Sequence, residues 1–170
     1  KRVKMNEKEL KSKIVEYWDR QPCNINHSLS DVDTETEQFF IENSNKRYFV
    51  EPHLKDLAQF HLYQGKRILE IGCGIGADAA EFVKNGAEYV GIDISRESIS
   101  LAQKRFEVFG LQGQFHLRSG EEDLSDLGKF DLVYSCGVLH HYPNISTILD
   151  NIYDVLVPNG ELKFLVYAKN

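Results

Sequence analysis

The stretch at residues 70–76 reads Glu-Ile-Gly-Cys-Gly-Ile-Gly, and it constrains the fold of this chain more than any other segment. An apolar run that begins at residue 67 leads into it, and residues 77–83 after it have a helical pattern. The pattern predicts a buried strand that turns sharply through glycines into a helix. Glycine suits such a turn because a Cβ would block both the tight backbone path and the close approach of a ligand. The free N–H groups at the start of the helix then face that ligand, so a pocket for a nucleotide-like molecule is expected.

From residue 65 onward, predicted strands and helices alternate along the chain. Strands are expected at 66–71, 88–93, 113–118, 130–135 and 161–167, and helices at 77–85, 96–109 and 145–156. This alternation predicts an α/β fold: a Rossmann-like, doubly wound, mostly parallel sheet with helices on both faces. Ligands of such sheets bind beyond the carboxyl ends of the strands, near the point where the strand order reverses. Residues 65–170 are therefore interpreted as the ligand-binding core.

Residues 1–64 have a different character and are predicted to form an N-terminal helical cap. Asn6 and Glu9 have the spacing of a capping box, and an apolar stripe follows at helical intervals. Two further helices are expected at 34–43 and 50–60, separated by the Asn-Ser-Asn sequence at 43–45 and by Pro52. Residues 20–33 are polar and without a period, so they are expected to form a loop.

Composition narrows the class of protein. The chain has 170 residues, enough for one domain with a real core. A net charge of −6 argues against a broad phosphate-binding surface, so no nucleic-acid partner is expected. The three cysteines include no Cys-x-x-Cys pair, which favours reduced thiols in a cytosolic, cytoplasmic protein. The charged N-terminus does not fit a signal peptide, and no apolar run reaches membrane length, so no membrane association is expected.

The glycine turn alone does not identify the ligand. Gly72, Gly74 and Ala77 satisfy the G-x-G-x-x-A form of a dinucleotide fingerprint. Asp93 lies about twenty residues further on, at the end of the second predicted strand, where an acid accepts hydrogen bonds from ribose hydroxyls. These features suit NAD as well as an adenosine ligand.

The wider pattern separates these alternatives. Glu70 stands two positions before the first glycine, and the Phe-Asp-Leu-Val-Tyr-Ser strand at 130–135 is followed by Gly-Val-Leu-His-His at 137–141. A helix then ends in Leu-Val-Pro-Asn-Gly-Glu-Leu at 156–162. Over residues 66–168, this ordered set resembles the class I S-adenosylmethionine (SAM) dependent methyltransferases, in particular their small-molecule, type 11-like branch. The resemblance implies SAM as cofactor, S-adenosylhomocysteine as product, and in-line transfer of a methyl group to a small-molecule acceptor.

The resemblance also implies roles for individual residues. Asp93 would bind the ribose hydroxyls, Ile94 would pack on adenine, and the carbonyl of Cys136 or Gly137 would face the methionine amino group. Gly120 departs from the family, which often has an acidic or hydroxyl side chain there, so the adenine contact is expected from a neighbour such as Glu121 or from backbone and water. The full set of implied cofactor residues is Glu70, Gly72, Cys73, Gly74, Gly76, Asp93, Ile94, Gly120, Glu121, Cys136 and Gly137.

His140 and His141 are the best-placed candidates for a general base, although paired histidines here also suit plain packing. The candidates for contacts with the acceptor or for a lid are Tyr17, Trp18, Cys23, Asn24, Arg47, Tyr48 and Tyr142. Tyr17 and Trp18 equally suit ordinary helix packing, and Arg47 is either a clasp for the methionine carboxylate or a surface arginine. The loop at 20–33 is expected to be a lid that faces the acceptor. No metal site is expected, because the other histidines lack ligand spacing.

The predicted sheet has five strands, whereas the family has seven, the last two forming an antiparallel hairpin. Residues 162–167 would then form an exposed apolar edge, which invites pairing with another strand. The chain is therefore expected either to be a piece of a longer polypeptide or to self-associate through this edge. Two other functions remain as alternatives: a non-catalytic partner module with the SAM fold, and an NAD-dependent oxidoreductase, for which no Tyr-x-x-x-Lys pair is found.

Overall fold

A parallel five-stranded sheet forms the centre of the molecule. The computed structural model describes residues 6–22 and 35–167. The strand order is β3-β2-β1-β4-β5, and every described pair of neighbouring strands runs parallel. The strands are β1 (Arg67–Ile71), β2 (Glu88–Asp93), β3 (Gln114–Leu117), β4 (Phe130–Cys136) and β5 (Leu156–Leu165). The predicted α/β fold with a Rossmann-like sheet is confirmed.

Within the described residues, six α-helices accompany the sheet, three of them before β1. They are α1 (Glu7–Arg20), α2 (Glu37–Val50), α3 (His53–Ala58), α4 (Ala77–Lys84), α5 (Arg96–Val108) and α6 (Ile145–Val155). The predicted capping box is present: Asn6 and Glu9 each accept a hydrogen bond from the other's backbone N–H. Ser95 caps α5 through a bond from the N–H of Ser98. These short-range signals are readable from sequence because they involve residues only three positions apart.

Apolar side chains pack on both faces of the sheet. Ile68 and Leu132 lie on one face with Phe82 of α4 and Phe106 of α5. The neighbouring positions on the same strands point to the other face, where they meet α6. Successive side chains of a strand alternate between the faces, so strands covered on both sides are apolar throughout. The predicted helices on both faces are thus confirmed.

The strand order reverses beside β1. The chain builds β1, β2 and β3 in one direction and then crosses to place β4 on the opposite side of β1. The Ser135 hydroxyl donates a hydrogen bond of 2.9 Å to the Ile71 carbonyl, joining the carboxyl ends of β4 and β1. A crevice forms beyond these ends because the connections leave β1 and β4 toward different faces.

The predicted helix break at residues 43–45 is wrong, since α2 runs unbroken from Glu37 to Val50. Asn43 and Ser44 accept hydrogen bonds of 2.7 Å from the two terminal nitrogens of Arg105. Arg105 is fully buried, and its burial lowers the pKa of its guanidinium to about 10. The polar residues therefore stay inside the helix because they bind a buried cation from α5, which is a tertiary contact that local propensity does not reveal.

The predicted start of the last strand is also wrong. β5 begins at Leu156, where α6 has just ended, and includes residues 158–160, around which its pairing with β4 is irregular. Phe130 pairs with Leu156 but Leu132 pairs with Glu161, so the intervening residues are looped out. Exposed apolar side chains do lie along and just after this strand, at Phe164, Val166 and Tyr167. Pairing of this edge with another strand remains a prediction.

Candidate functional site

A cavity lies at the carboxyl ends of β1, β2 and β4, where the strand order predicts a ligand site. Most of the residues expected from sequence meet there. The predicted residues that line it are Trp18, Arg47, Glu70, Gly72, Cys73, Gly74, Asp93, Ile94, Cys136, Gly137, His141 and Tyr142. Segments that are far apart in sequence therefore line the same cavity.

The glycine turn forms the floor of the cavity. The backbone N–H groups of Gly72 and Cys73 donate to the Ile92 carbonyl at 2.8 and 3.1 Å, which ties the turn to β2. Gly72 has a φ of +79°, and a Cβ there would lie 2.4 Å from a methyl group of Val138. Only glycine fits, because the turn passes against the segment that leaves β4. At Gly74, by contrast, a Cβ would meet no atom within 4 Å, so the turn leaves space for a ligand there.

Asp93 ends β2 and faces the same cavity. Its two carboxylate oxygens each accept a backbone N–H at 2.9 Å, one from Gly74 and one from Ser95. Burial raises the pKa of this carboxyl, although these N–H bonds oppose the shift. Each oxygen retains a further lone pair, so the group is able to accept two more hydrogen bonds. The arrangement holds an acceptor of hydroxyl groups beside the glycine turn.

A buried ion pair joins α2 to the start of α4. Arg47 donates to the Asp78 carboxylate through Nε at 3.1 Å and Nη2 at 2.6 Å. The hydroxyls of Tyr48 and Tyr134 donate to the same carboxylate at 2.8 and 3.2 Å. Burial by itself would raise the pKa of Asp78, but the charge of Arg47 and these hydrogen bonds lower it below the ordinary value. Asp78 therefore remains ionised and fixes the orientation of Arg47 at the cavity wall.

Glu70 lies on β1 and is almost completely buried. It accepts a hydrogen bond from the Tyr89 hydroxyl on β2. Burial, followed by the nearby charge of Asp78, raises the pKa of Glu70 well above its usual value. This contact braces β1 against β2 below the glycine turn.

Helix α1 covers one side of the cavity. Its residues Ile14 and Trp18 line the wall, and the Trp18 ring meets His141 edge-on with centroids 5.4 Å apart. The Asp19 carboxylate accepts the backbone N–H of Arg96 at 2.8 Å, at the start of α5. An ion pair of 2.8 Å between Lys11 and Glu121 holds the other end of α1. Trp18 therefore both packs α1 against the rest of the protein and lines the cavity.

Six of the described residues that were expected in the site lie outside the cavity wall: Tyr17, Tyr48, Gly76, Gly120, Glu121 and His140. Tyr17 is 56% exposed and touches only the edge of Trp18 among the described rings. Tyr48 is directed to the Asp78 carboxylate. Gly76 begins α4 with a φ of +76°, and a Cβ there would meet the Cβ of Ala102 on α5 at 3.2 Å, so its role here is in packing.

Gly120 and Glu121, which were expected to lie near adenine, instead make contacts within the protein. The Glu121 carboxylate accepts the backbone N–H of Asn144 at 3.0 Å and pairs with Lys11. Gly120 is buried, and its N–H lies 3.4 Å from the Tyr142 hydroxyl. Neither residue lines the cavity, whereas Tyr142 does. Tyr142, a candidate for contacts with the acceptor or for a lid, therefore lies between this segment and the cavity.

The two adjacent histidines differ in position. His141 lines the cavity at its exposed rim, while His140 stacks on it with centroids 4.0 Å apart and meets Tyr167 on its other side. Partial burial, followed by the charge of His140, lowers the pKa of His141 below its usual value. A neutral imidazole is thus favoured at the rim, as a general base requires.

Cys23, Asn24 and the predicted lid at 20–33 lie outside the described residues, except for its first positions. Across residues 6–22 and 35–167, no group of three or more metal-ligating side chains is assembled. In the same part of the chain, no helix has the length and apolar character needed to span a membrane.

Several lining residues were missed by the sequence analysis, chiefly Glu51, Asp78, Val138 and Tyr167. Asp78 follows the glycine turn directly, so an acid in the first turn of that helix was a usable signal. Glu51 and Tyr167 gave no signal, because they meet only through a long-range contact. The Tyr167 hydroxyl donates to the Glu51 carboxylate at 2.7 Å.

Comparison with known proteins places this fold and cavity in a family. A sequence profile described as a methyltransferase domain matches residues 69–162, more than half of the chain. The chain is 30% identical over 124 residues to a ubiquinone biosynthesis O-methyltransferase from Psychrobacter cryohalolentis, covering 71% of this chain and 48% of that protein. It is 36% identical over 103 residues to a phthiotriol/phenolphthiotriol dimycocerosates methyltransferase from Mycobacterium leprae, covering 59% and 37% respectively.

The fold comparison agrees. The magnesium protoporphyrin IX methyltransferase from Synechocystis PCC 6803, solved with bound SAM, superposes with a TM-score of 0.66 at 21% identity. That match covers 92% of this chain and 74% of the other. The chain belongs to the methyltransferase-domain family and has the class I methyltransferase fold, as its sequence predicts. It spans about half or less of the length of the curated relatives described above.

Proposed function

We propose that this protein binds SAM and transfers its methyl group to a small-molecule acceptor. The observation that carries the proposal is the meeting of the glycine turn, the Asp93 carboxylate and a fixed Arg47 around one cavity. Membership of the methyltransferase-domain family and the names of the relatives support the same reaction.

The donor groups of the cavity suit the parts of SAM. Asp93 has lone pairs for the ribose hydroxyls, and the space beside Gly74 suits the methionine portion. Trp18, Tyr142 and Tyr167 provide aromatic walls, which attract a cation by about 0.5–2 kcal/mol each when the site is desolvated. When bound, SAM supplies a methyl group on a sulfonium ion, which already contains a good leaving group.

The main contribution of the protein is then to orient the methyl donor and the acceptor. Residues from β1, β2 and β4 hold one ligand, and α1 with Trp18 covers the side where water would enter. Holding donor and acceptor in line contributes up to about 7–11 kcal/mol in favourable cases. A neutral His141 at the rim is placed to take the proton that a hydroxyl acceptor loses. The O-methyltransferase names of several relatives support a hydroxyl acceptor.

Calorimetric titration with SAM, S-adenosylhomocysteine and NAD tests the cofactor. We expect both adenosyl-sulfur ligands to bind and NAD to give no heat. Asp93→Ala should weaken SAM binding by about 2–3 kcal/mol, because it removes a charged acceptor of hydrogen bonds. Asp131→Ala, which removes an acid at the opposite end of the sheet, is the matched control and should leave affinity unchanged. Equal affinity of Asp93→Ala and wild type would place the ribose site elsewhere.

His141→Ala tests the general base separately from binding. Turnover with a hydroxyl acceptor found by screening should fall by about a hundredfold, within the usual range for loss of a general base. The SAM affinity should change by less than about fivefold, equivalent to about 1 kcal/mol. The base form of His141 exists above its lowered pKa, so the acidic limb of the wild-type rate profile should lie below pH 6.5. His140→Ala is the neighbouring control. Equal turnover of wild type and His141→Ala would exclude His141 as the general base.

A further inference from the structure

We infer that Glu51 is a specificity-determining residue that makes this cavity select a positively charged sulfonium ligand over its neutral thioether product. The inference rests on the proposed function and concerns the same cavity. Glu51 lines the wall together with Arg47 and Tyr167.

The charges around the cavity do not balance. Of the residues described there, the acidic ones are Glu51, Glu70, Asp78 and Asp93, and Arg47 is the one Lys or Arg. Arg47 is bonded to Asp78 through two nitrogens and also lies 3.6 Å from Glu51, so one cation faces two carboxylates and these three groups carry one net negative charge. Glu70 is bonded to Tyr89 and has a raised pKa, so it adds little negative charge. Residues 23–34, between α1 and α2, contain no Lys or Arg that would change this balance.

Glu51 is held in place without being neutralised. One oxygen accepts the Tyr167 hydroxyl at 2.7 Å, and a neutral donor of this kind leaves the carboxylate charge intact. The other oxygen forms an ion pair of 3.6 Å with Arg47 Nη1, but that guanidinium is already bonded to Asp78, so it cannot neutralise both carboxylates. Glu51 also directly follows α2, where the helix dipole disfavours a carboxylate. The fold thus keeps an anion at the wall in a place where the local helix does not stabilise it.

The two ligands of the reaction differ in charge at one atom. SAM carries an ammonium, a sulfonium and a carboxylate, for a net charge of +1, whereas S-adenosylhomocysteine is a neutral zwitterion. During transfer the sulfur–methyl bond breaks and sulfur keeps its electron pair. The acceptor oxygen bonds to the methyl group and gives its proton to His141. Charges interact strongly in a partly desolvated cavity, so Glu51 attracts the ligand while it carries a net positive charge. The attraction is weak after transfer, because the ligand has then lost that charge. Product release is favoured as a result.

Calorimetry with SAM, sinefungin and S-adenosylhomocysteine tests the inference by binding alone. Sinefungin bears an amine at the sulfonium position, so it keeps the positive charge without a transferable methyl group. Wild type should bind both cationic ligands about tenfold more tightly than the product. Glu51→Gln keeps an oxygen for Tyr167 but removes the charge, and it should abolish most of this preference.

Two further variants locate the effect. Glu88→Gln makes the same charge change on an exposed residue at the start of β2, at the far end of the sheet, and should retain the wild-type preference. Tyr167→Phe removes the bond to Glu51 but keeps its charge, and should reduce the preference less than Glu51→Gln does. If circular dichroism shows that Glu51→Gln is poorly folded, the ligand preference of Tyr167→Phe provides a second test.

The outcomes separate the inference from the proposed function. If wild type binds the product as tightly as SAM, or if Glu51→Gln keeps the full preference, the inference is overturned while the cofactor assignment stands. If wild type binds none of the three ligands, the proposed function itself fails.

Discussion

Replacing Asp78 with alanine is expected to lower the free energy of unfolding by about 3–5 kcal/mol. The Asp78 carboxylate is buried and accepts hydrogen bonds from Arg47, Tyr48 and Tyr134. Its loss leaves the Arg47 guanidinium, itself only 8% exposed, without its main counter-charge. Chemical denaturation of both proteins at neutral pH measures the difference.

The charge argument is checked by a second substitution. In the Asp78→Ala, Arg47→Met double variant no unpaired cation remains, so much of the lost stability should return. Asp131→Ala removes a part-exposed carboxylate bonded to Lys66 and should cost about 1 kcal/mol or less. If the double variant is less stable than Asp78→Ala alone, the unpaired charge of Arg47 is not the cause.

At acidic pH, the difference in the free energy of unfolding between wild type and Asp78→Ala should become smaller. The pKa of Asp78 is lower in the folded protein than its ordinary value of 3.8, because Arg47 and the hydroxyl donors outweigh burial. The stabilisation is therefore complete above the ordinary value and is lost as pH falls through the lowered one. Denaturation curves at a series of acidic pH values report this convergence.

Gly72→Ala is expected to have the second large effect. Its φ of +79° disfavours alanine, and the new Cβ would lie 2.4 and 2.7 Å from the two methyl carbons of Val138. Strain and overpacking together should lower the free energy of unfolding by about 3 kcal/mol. SAM affinity should fall as well, because the turn must shift at the cavity floor. Thermal unfolding and calorimetry measure the two effects.

Gly65 provides a matched control for Gly72. Its φ is +68°, but a Cβ there would meet no atom within 4 Å. Gly65→Ala should therefore cost about 1–2 kcal/mol, from the backbone strain alone. Adding Val138→Ala to Gly72→Ala removes both close methyl carbons and should recover part of the loss. A Gly72→Ala variant as stable as Gly65→Ala would show that the Val138 contact is easily relieved.

The sequence by itself determined the fold class and the family. The strand, glycine turn and helix around residues 67–84 involve neighbouring positions, so their pattern is visible without a structure. The same holds for the capped start of α5 at Ser95 and for Asp93 at the end of β2. Local periodicity and turn chemistry are properties of short segments, and here no tertiary contact opposed them.

Only the tertiary structure decided how the cavity is walled and charged. Arg47 reaches Asp78 across 31 positions, and Glu51 meets Tyr167 across 116. No local pattern encodes such pairs, because their partners are chosen by the packing of α2 against α4 and the end of β5. The same cause explains α2, where Asn43 stays helical because it binds the buried Arg105. Short-range signals thus predicted which elements form, and long-range contacts set the electrostatics of the site.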